Sequence, residues 1–168
     1  MRSSSLDIRI GIATGEALVG SIGSEFMMSY TVLGDTVNLA SRLEGANKFY
    51  GSRSLISETT AAACAATIEL REIDRLVVVG QTHPVAVFEI IGKKDELTPA
   101  QAALRQHYAD GLAAYRARCW DDAEHAFTAA LHAAPGDGPS LAMQARVLDF
   151  RRSPPPADWD GAWHLEHK

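Results

Sequence analysis

Cysteine is scarce. Only Cys64 and Cys119 occur in 168 residues, too few for a disulfide framework or a thiolate zinc site, so a reducing, cytoplasmic setting is the expectation. Long apolar runs are missing too: the longest aliphatic stretch is Leu76-Val77-Val78-Val79, far below the roughly 20 residues a membrane helix needs, which argues against direct membrane insertion. The opening Met1-Arg2-Ser3-Ser4-Ser5 lacks an apolar segment, so no secretory signal is expected. Nor is there an excess of positive charge. Sixteen Lys and Arg face 21 Asp and Glu, a net charge of −5, which leaves no basic field to hold nucleic acid. What is present is ordinary for a globular chain: 46% hydrophobic and 22% charged residues suffice for a core and argue against wholesale disorder.

Alternation of Ile8, Ile10 and Ile12 with Asp7, Arg9 and Gly11 has the period of a half-buried strand. A second β-rich run covers 17–22, and Gly15 between the two reads as a hairpin turn. From Gly34 to Tyr50 the period becomes helical, with Leu39, Leu43, Ala46 and Tyr50 on one stripe. Asp35 is the expected N-cap and Gly51 the residue that closes the helix. A short strand 54–56, a short helix opening at Ser57, and strands over 69–79 and 85–91 follow. After Gly92 the composition shifts to a charged linker and then to alanine-rich helices. Thr98-Pro99-Ala100-Gln101 is a capping box; Asp121-Asp122-Ala123-Glu124 reads as a second one, and a third helix is predicted from Pro139 to about Arg151, ended by Pro154-Pro155-Pro156.

The segment with chemical content runs from Tyr30 to Glu44. Asn38 and Arg42 stand four residues apart, so on a helix they share a face about 40° wide beside the apolar stripe. A neutral amide and a fixed guanidinium aimed at one point suit stabilisation of a charged, five-coordinate phosphorus. The plainer alternative is an amide bonded to nearby backbone and a solvated surface charge.

Arg9-Ile10-Gly11-Ile12-Ala13-Thr14-Gly15 and Leu33-Gly34-Asp35-Thr36-Val37-Asn38-Leu39-Ala40-Ser41-Arg42-Leu43-Glu44 resemble, nearly verbatim, the C-terminal half of a class III adenylate or guanylate cyclase catalytic domain. The resemblance covers about residues 6–91. It implies that Asn38 and Arg42 are catalytic, orienting the ribose and stabilising the transition-state phosphate, and that Thr31, seven residues before Asn38, selects adenine. The threonine oxygen can accept from the exocyclic amine of adenine, where guanine presents a carbonyl. It also implies a phosphorus-oxygen lyase that uses Mg or Mn with ATP at a site shared with a second cyclase domain. The family's two metal aspartates and its adenine-contacting lysine lie upstream of the Arg-Ile-Gly-Ile strand. Asp7 is the one carboxylate ahead of that strand here and matches neither ligand, so no metal residue is assigned to this chain. Where the family often has Lys-Gly-Lys against the triphosphate, this chain reads Val79-Gly80-Gln81; His83 is the nearest substitute, and a turn histidine is commonly just exposed.

Gly111, Tyr115, Trp120, Ala123, Phe127, Ala130 and Pro135 resemble one tetratricopeptide repeat, with Trp120 and Phe127 buried and Arg116 and Arg118 leaning outward. The Pro/Trp-containing close is similar to that of bacterial membrane-anchored cyclases. The fold class expected is therefore mixed α/β (α+β): a disordered start over 1–5, a partial ferredoxin-like cyclase domain over 6–92, a linker over 93–97, a tetratricopeptide-like α-helical hairpin over 98–152 and a tail over 153–168. The alternative to a cyclase half-site is a non-catalytic, truncated cyclase whose helical tail binds a protein partner.

Overall fold

The structure, a computed structural model, describes residues 7–24, 27–77 and 83–164. The start over 1–5 and the Val79-Gly80-Gln81 segment lie outside them. Seven strands and five helices are formed among the described residues. Strands β1 (Ile10–Ile12), β4 (Ser54–Ser57), β5 (Ile68–Val77), β6 (Val85–Lys93) and β7 (Trp163–His164) make one mixed sheet in the order β1-β4-β6-β5-β7. β1 runs parallel to β4 and β7 parallel to β5, while β4/β6 and β5/β6 are antiparallel. Strands β2 (Leu18–Ser24) and β3 (Met27–Leu33) form a separate antiparallel ribbon.

That ribbon corrects the hairpin read from Gly15. The partner of 18–24 is 27–33, a Met-Met-Ser-Tyr-Thr-Val-Leu run outside the expected strands, and β1 pairs with β4 instead. The reason lies at Gly11. A Cβ there would sit 2.0 Å from the Ala40 carbonyl oxygen and 2.4 Å from the Glu44 nitrogen, so β1 runs against the backbone of helix α1 (Asp35–Tyr50). This contact carries β1 to the strand that follows α1 and away from β2.

Helix α1 buries Leu43, Ala46 and Tyr50 and packs Leu39 against the same core, the stripe expected from the sequence. Its start differs by one residue. Gly34 is the cap residue, at φ 151° and ψ 161°, and Asp35 is the first helical residue, where its charge complements the helix dipole. That backbone conformation is open to glycine and strained for other residues. Gly51 ends α1 in the left-handed region. Ser57 caps α2 (Glu58–Cys64), accepting from the Thr60 amide, and the Thr98 capping box opens α3 (Pro99–Arg116). Helix α4 (Trp120–Ala133) begins one residue before Asp121, with Cys119 in the cap position and no side-chain cap bond. Asp137 caps α5 (Gly138–Arg152) by accepting from Ser140.

The three C-terminal helices are joined to the sheet through a shared interior. Leu43, Tyr50, Ile73 and Val87 belong to the same buried cluster as Tyr108, Leu112, Phe127 and Met143. Polar groups bridge this layer too. Arg71, only 3% exposed, is gripped bidentately by Asp137 at 2.8 and 3.0 Å, pairs with Glu89 and lies over the Tyr108 ring. Phe127 is fully buried against Gly111, where a Cβ would stand 2.7 Å from its ring. Trp120 is half-buried in a cluster with Tyr115, Phe150 and Trp159. The two arginines expected to lean outward do not. Arg116 reaches back to Glu72 at 2.6 Å, and Arg118 lies over Trp159 and donates to the carbonyl oxygens of Pro155, Pro156 and Ala157.

Glu69 gives a pH prediction. Its hydrogen bond with Lys94, helped by the Asp95 amide and the charge of Arg105, holds its carboxyl below the ordinary value of 4.5, against the opposing effect of burial. A depressed folded-state pKa contributes stability that is present above the unfolded value and lost as pH falls through the folded one. The melting temperature of the parent protein therefore falls more between about pH 5 and pH 3 than that of Glu69→Gln; parallel profiles would contradict this.

Candidate active site on helix α1

Thr31, Asn38 and Arg42 lie on consecutive elements. Thr31 sits half-buried in β3, opposite Gly20 of β2. Three residues later Gly34 turns the chain into α1, where Asn38 is exposed and Arg42 half-buried, beside the Leu39/Leu43 stripe and off it. Among the described residues no hydrogen bond or ion pair occupies the side chains of Thr31, Asn38 or Arg42. An amide and a guanidinium one turn apart are thus free to meet a ligand. His83, the other cation considered, is exposed.

The inner side of α1 is fixed by contacts the sequence did not announce. Asn47, fully buried, donates to the carbonyl oxygens of Ile10 and Leu43 at 2.9 Å and of Glu44 at 3.3 Å, and accepts from the Ser52 hydroxyl at 2.8 Å. It ties the helix to β1 and to its own exit loop. At the C-terminal end, Tyr50 donates to the buried Asp74 at 2.6 Å. Burial and the adjacent Asp74 carboxylate push the Tyr50 phenol well above 10, so it remains a donor. A polar residue on the apolar stripe side, as Asn47 is, was the one available signal; Asp74 had none, because a register shift between Glu72 and Asp74 turns both Ile73 and Asp74 inward.

Divalent metal does not fit the described residues. Among the described residues no group of three or more His, Cys, Asp or Glu side chains could hold an ion, and Asp7 is 3.7 Å from Arg53, both well exposed.

Residues 1–92 match the family described as the adenylate and guanylate cyclase catalytic domain. The chain belongs to the class III cyclase family. The chain is 34% identical over 151 residues to the adenylate cyclase, terminal-differentiation specific, of Dictyostelium discoideum. That match takes in 88% of the chain, so it reaches past residue 92 into the helices. It is 42% identical over 84 residues, half of the chain, to adenylate cyclase 1 of Rhizobium meliloti strain 1021. The chain spans only 7% and 13% of the lengths of these two relatives. The solved adenylyl cyclase CyaB of P. aeruginosa is similar at 35% identity and a TM-score of 0.45, over 54% of this chain and 45% of that one. No described helix of the chain is long and apolar enough to cross a membrane.

Proposed function

We propose that this chain supplies one half of an adenylate cyclase active site, completed by a second cyclase domain, and that the joint site converts ATP to cyclic AMP and pyrophosphate. The observation that carries the reading is the arrangement at β3 and α1: an unengaged amide and guanidinium on one helix face, one short turn after Thr31. In the reaction, the ribose 3′-oxygen forms a bond to the α-phosphorus and the bond from that phosphorus to the bridging oxygen of the β-phosphate breaks. Pyrophosphate leaves, and the hydroxyl proton passes to solvent. Arg42 donates to the α-phosphate oxygens as negative charge gathers on them, where a fixed cation contributes most. The Asn38 amide orients the ribose, and the Thr31 hydroxyl accepts from the adenine amine.

Class III cyclases dimerise, and one face of the β2/β3 ribbon is suited to it. Val19, Met28, Tyr30 and Val32 share one face of the β2/β3 ribbon and are all exposed, an apolar row of the kind that a partner surface covers. The family uses divalent metal; since the residues described here do not fit it, the metal carboxylates belong to the partner in this reading. The hairpin of α3 and α4 is read as tetratricopeptide-like, on the close contact of Gly111 with Phe127. The isolated chain should form no cyclic AMP with Mg²⁺ or Mn²⁺. Mixed with a cyclase domain that retains its metal carboxylates but carries alanine for its own asparagine and arginine, it should restore synthesis. Cyclic AMP from the pure chain that is abolished by Asn38→Ala, or an inactive pair shown to associate, would overturn the proposal.

A further inference from the structure

Helix α1 carries the proposed transition-state pair in its first half, and its far end is held by the C-terminal helices. Arg146 of α5 is 4% exposed, and Asp74 and Tyr50 are fully buried. The guanidinium donates to the same Asp74 oxygen that accepts from Tyr50, at 2.5 Å, and to the Tyr50 hydroxyl at 3.3 Å. Its face lies 4.0 Å from the centre of the Trp163 ring and 5.2 Å from that of Phe49. Backbones meet beside it: a Cβ on Gly138, the first residue of α5, would be 2.6 Å from the carbonyl oxygens of both Tyr50 and Gly51. Charge, rings and main chain from α5 and β7 thus converge on one end of α1.

Tyr50 is eight residues beyond Arg42, about 12 Å along a helix that rises 1.5 Å per residue. Fixing one end of so short a rod fixes the tilt of the other. We infer that Arg146 is a positioning residue for Asn38 and Arg42: by clamping Tyr50 through Asp74, the C-terminal helical region sets the aim of the pair that meets the phosphate. This rests on the half-site reading above. It separates two functions of the site, because Thr31 stands on β3, in a different sheet from the strand that holds Asp74.

The test uses the reconstituted pair, with kcat, KM and the ATP/GTP preference measured for each variant. Arg146→Met should lower kcat by about 10- to 100-fold, the scale on which an ångström of misplacement acts, with KM for ATP changed less than about threefold and the ATP/GTP ratio unchanged. Arg146→Lys should recover part of the loss. Tyr50→Phe keeps the ring and its packing while cutting the same link, so it guards against misfolding of Arg146→Met. Its kcat should fall several-fold, and the double variant should be no worse than Arg146→Met alone. Leu104→Ala, a core change on α3 away from α1, should lower the melting temperature and leave kcat as it is. The inference is overturned if Tyr50→Phe and Arg146→Met leave kcat unchanged, or if Leu104→Ala reproduces their kinetic pattern. Should the parent pair be inactive, the half-site reading fails by itself, and amide exchange in the isolated chain decides the clamp. Exchange over residues 38–43 should rise at least about tenfold more in Arg146→Met than in Leu104→Ala, and equal exchange would refute it.

Discussion

In the reconstituted pair, Arg42→Ala lowers the rate of cyclic AMP formation by about 10² to 10³-fold, the usual consequence of removing one fixed donor from developing negative charge. The partner in that pair has lost its own arginine, so no second guanidinium compensates. The loss should appear in kcat more than in KM, because the α-phosphate gains its extra charge only on the way to the five-coordinate state. Thr31→Ala acts on a different quantity. It should cost less in rate and should bring the kcat/KM values for ATP and GTP closer together, since the hydroxyl that favours an amine over a carbonyl is gone. Rates for both nucleotides at equal heterodimer content check the two expectations together. Indifference to Arg42→Ala would remove this residue from the chemistry.

Phe127→Ala destabilises the folded chain by about 3 to 5 kcal/mol, as truncation of a fully buried aromatic does when the site cannot collapse around the void. Phe127 has no exposed surface, meets the Tyr108 ring edge-on at 5.3 Å, and occupies the space that Gly111 leaves open. Trp120→Ala removes a larger ring but only a half-buried one, so about 1 to 2 kcal/mol is expected from the area involved. Because the buried cluster runs without interruption from α1 and the sheet into α3, α4 and α5, helix and sheet signals should be lost in one transition for both variants. Urea unfolding followed by far-ultraviolet circular dichroism gives both numbers. A smaller loss for Phe127→Ala than for Trp120→Ala would reverse the packing order described above.

Local signals in the sequence were dependable where the physics is local. The Leu43/Ala46/Tyr50 stripe, the short helix at Ser57 and the Thr98 capping box each depend on residues within a few positions of one another, and each stands where the sequence placed it to within a residue. The errors came where a distant element decides the outcome. Gly15 looked like a hairpin turn, but Gly11 brings β1 against α1 and so to β4. The 27–33 run does alternate, with Met28, Tyr30 and Val32 on one face and Ser29 and Thr31 on the other, but its side chains are largely exposed on the ribbon and no core contact marks it. Buried charges were the least legible: Arg71 finds Asp137 66 positions away, and Arg146 finds Asp74 72 positions away. Along β5 the charged residues alternate with apolar ones, and Glu69 and Arg71 are nevertheless buried, paired with Arg105 of α3 and with Asp137 at the start of α5. Asn38, Arg42 and Thr31 are proposed through the motif they sit in; that their side chains make no hydrogen bond or ion pair among the described residues is visible only in the fold.

The most direct measurement of the half-site claim is cyclic AMP formation as a function of mixing ratio, with this chain titrated into a fixed amount of the partner that retains its metal carboxylates. Activity should be near zero for either chain alone, rise to a plateau at one equivalent, and disappear across the whole titration when the added chain carries Asn38→Ala and Arg42→Ala. A rate that follows one chain regardless of the other, or a plateau that survives the double substitution, would contradict it.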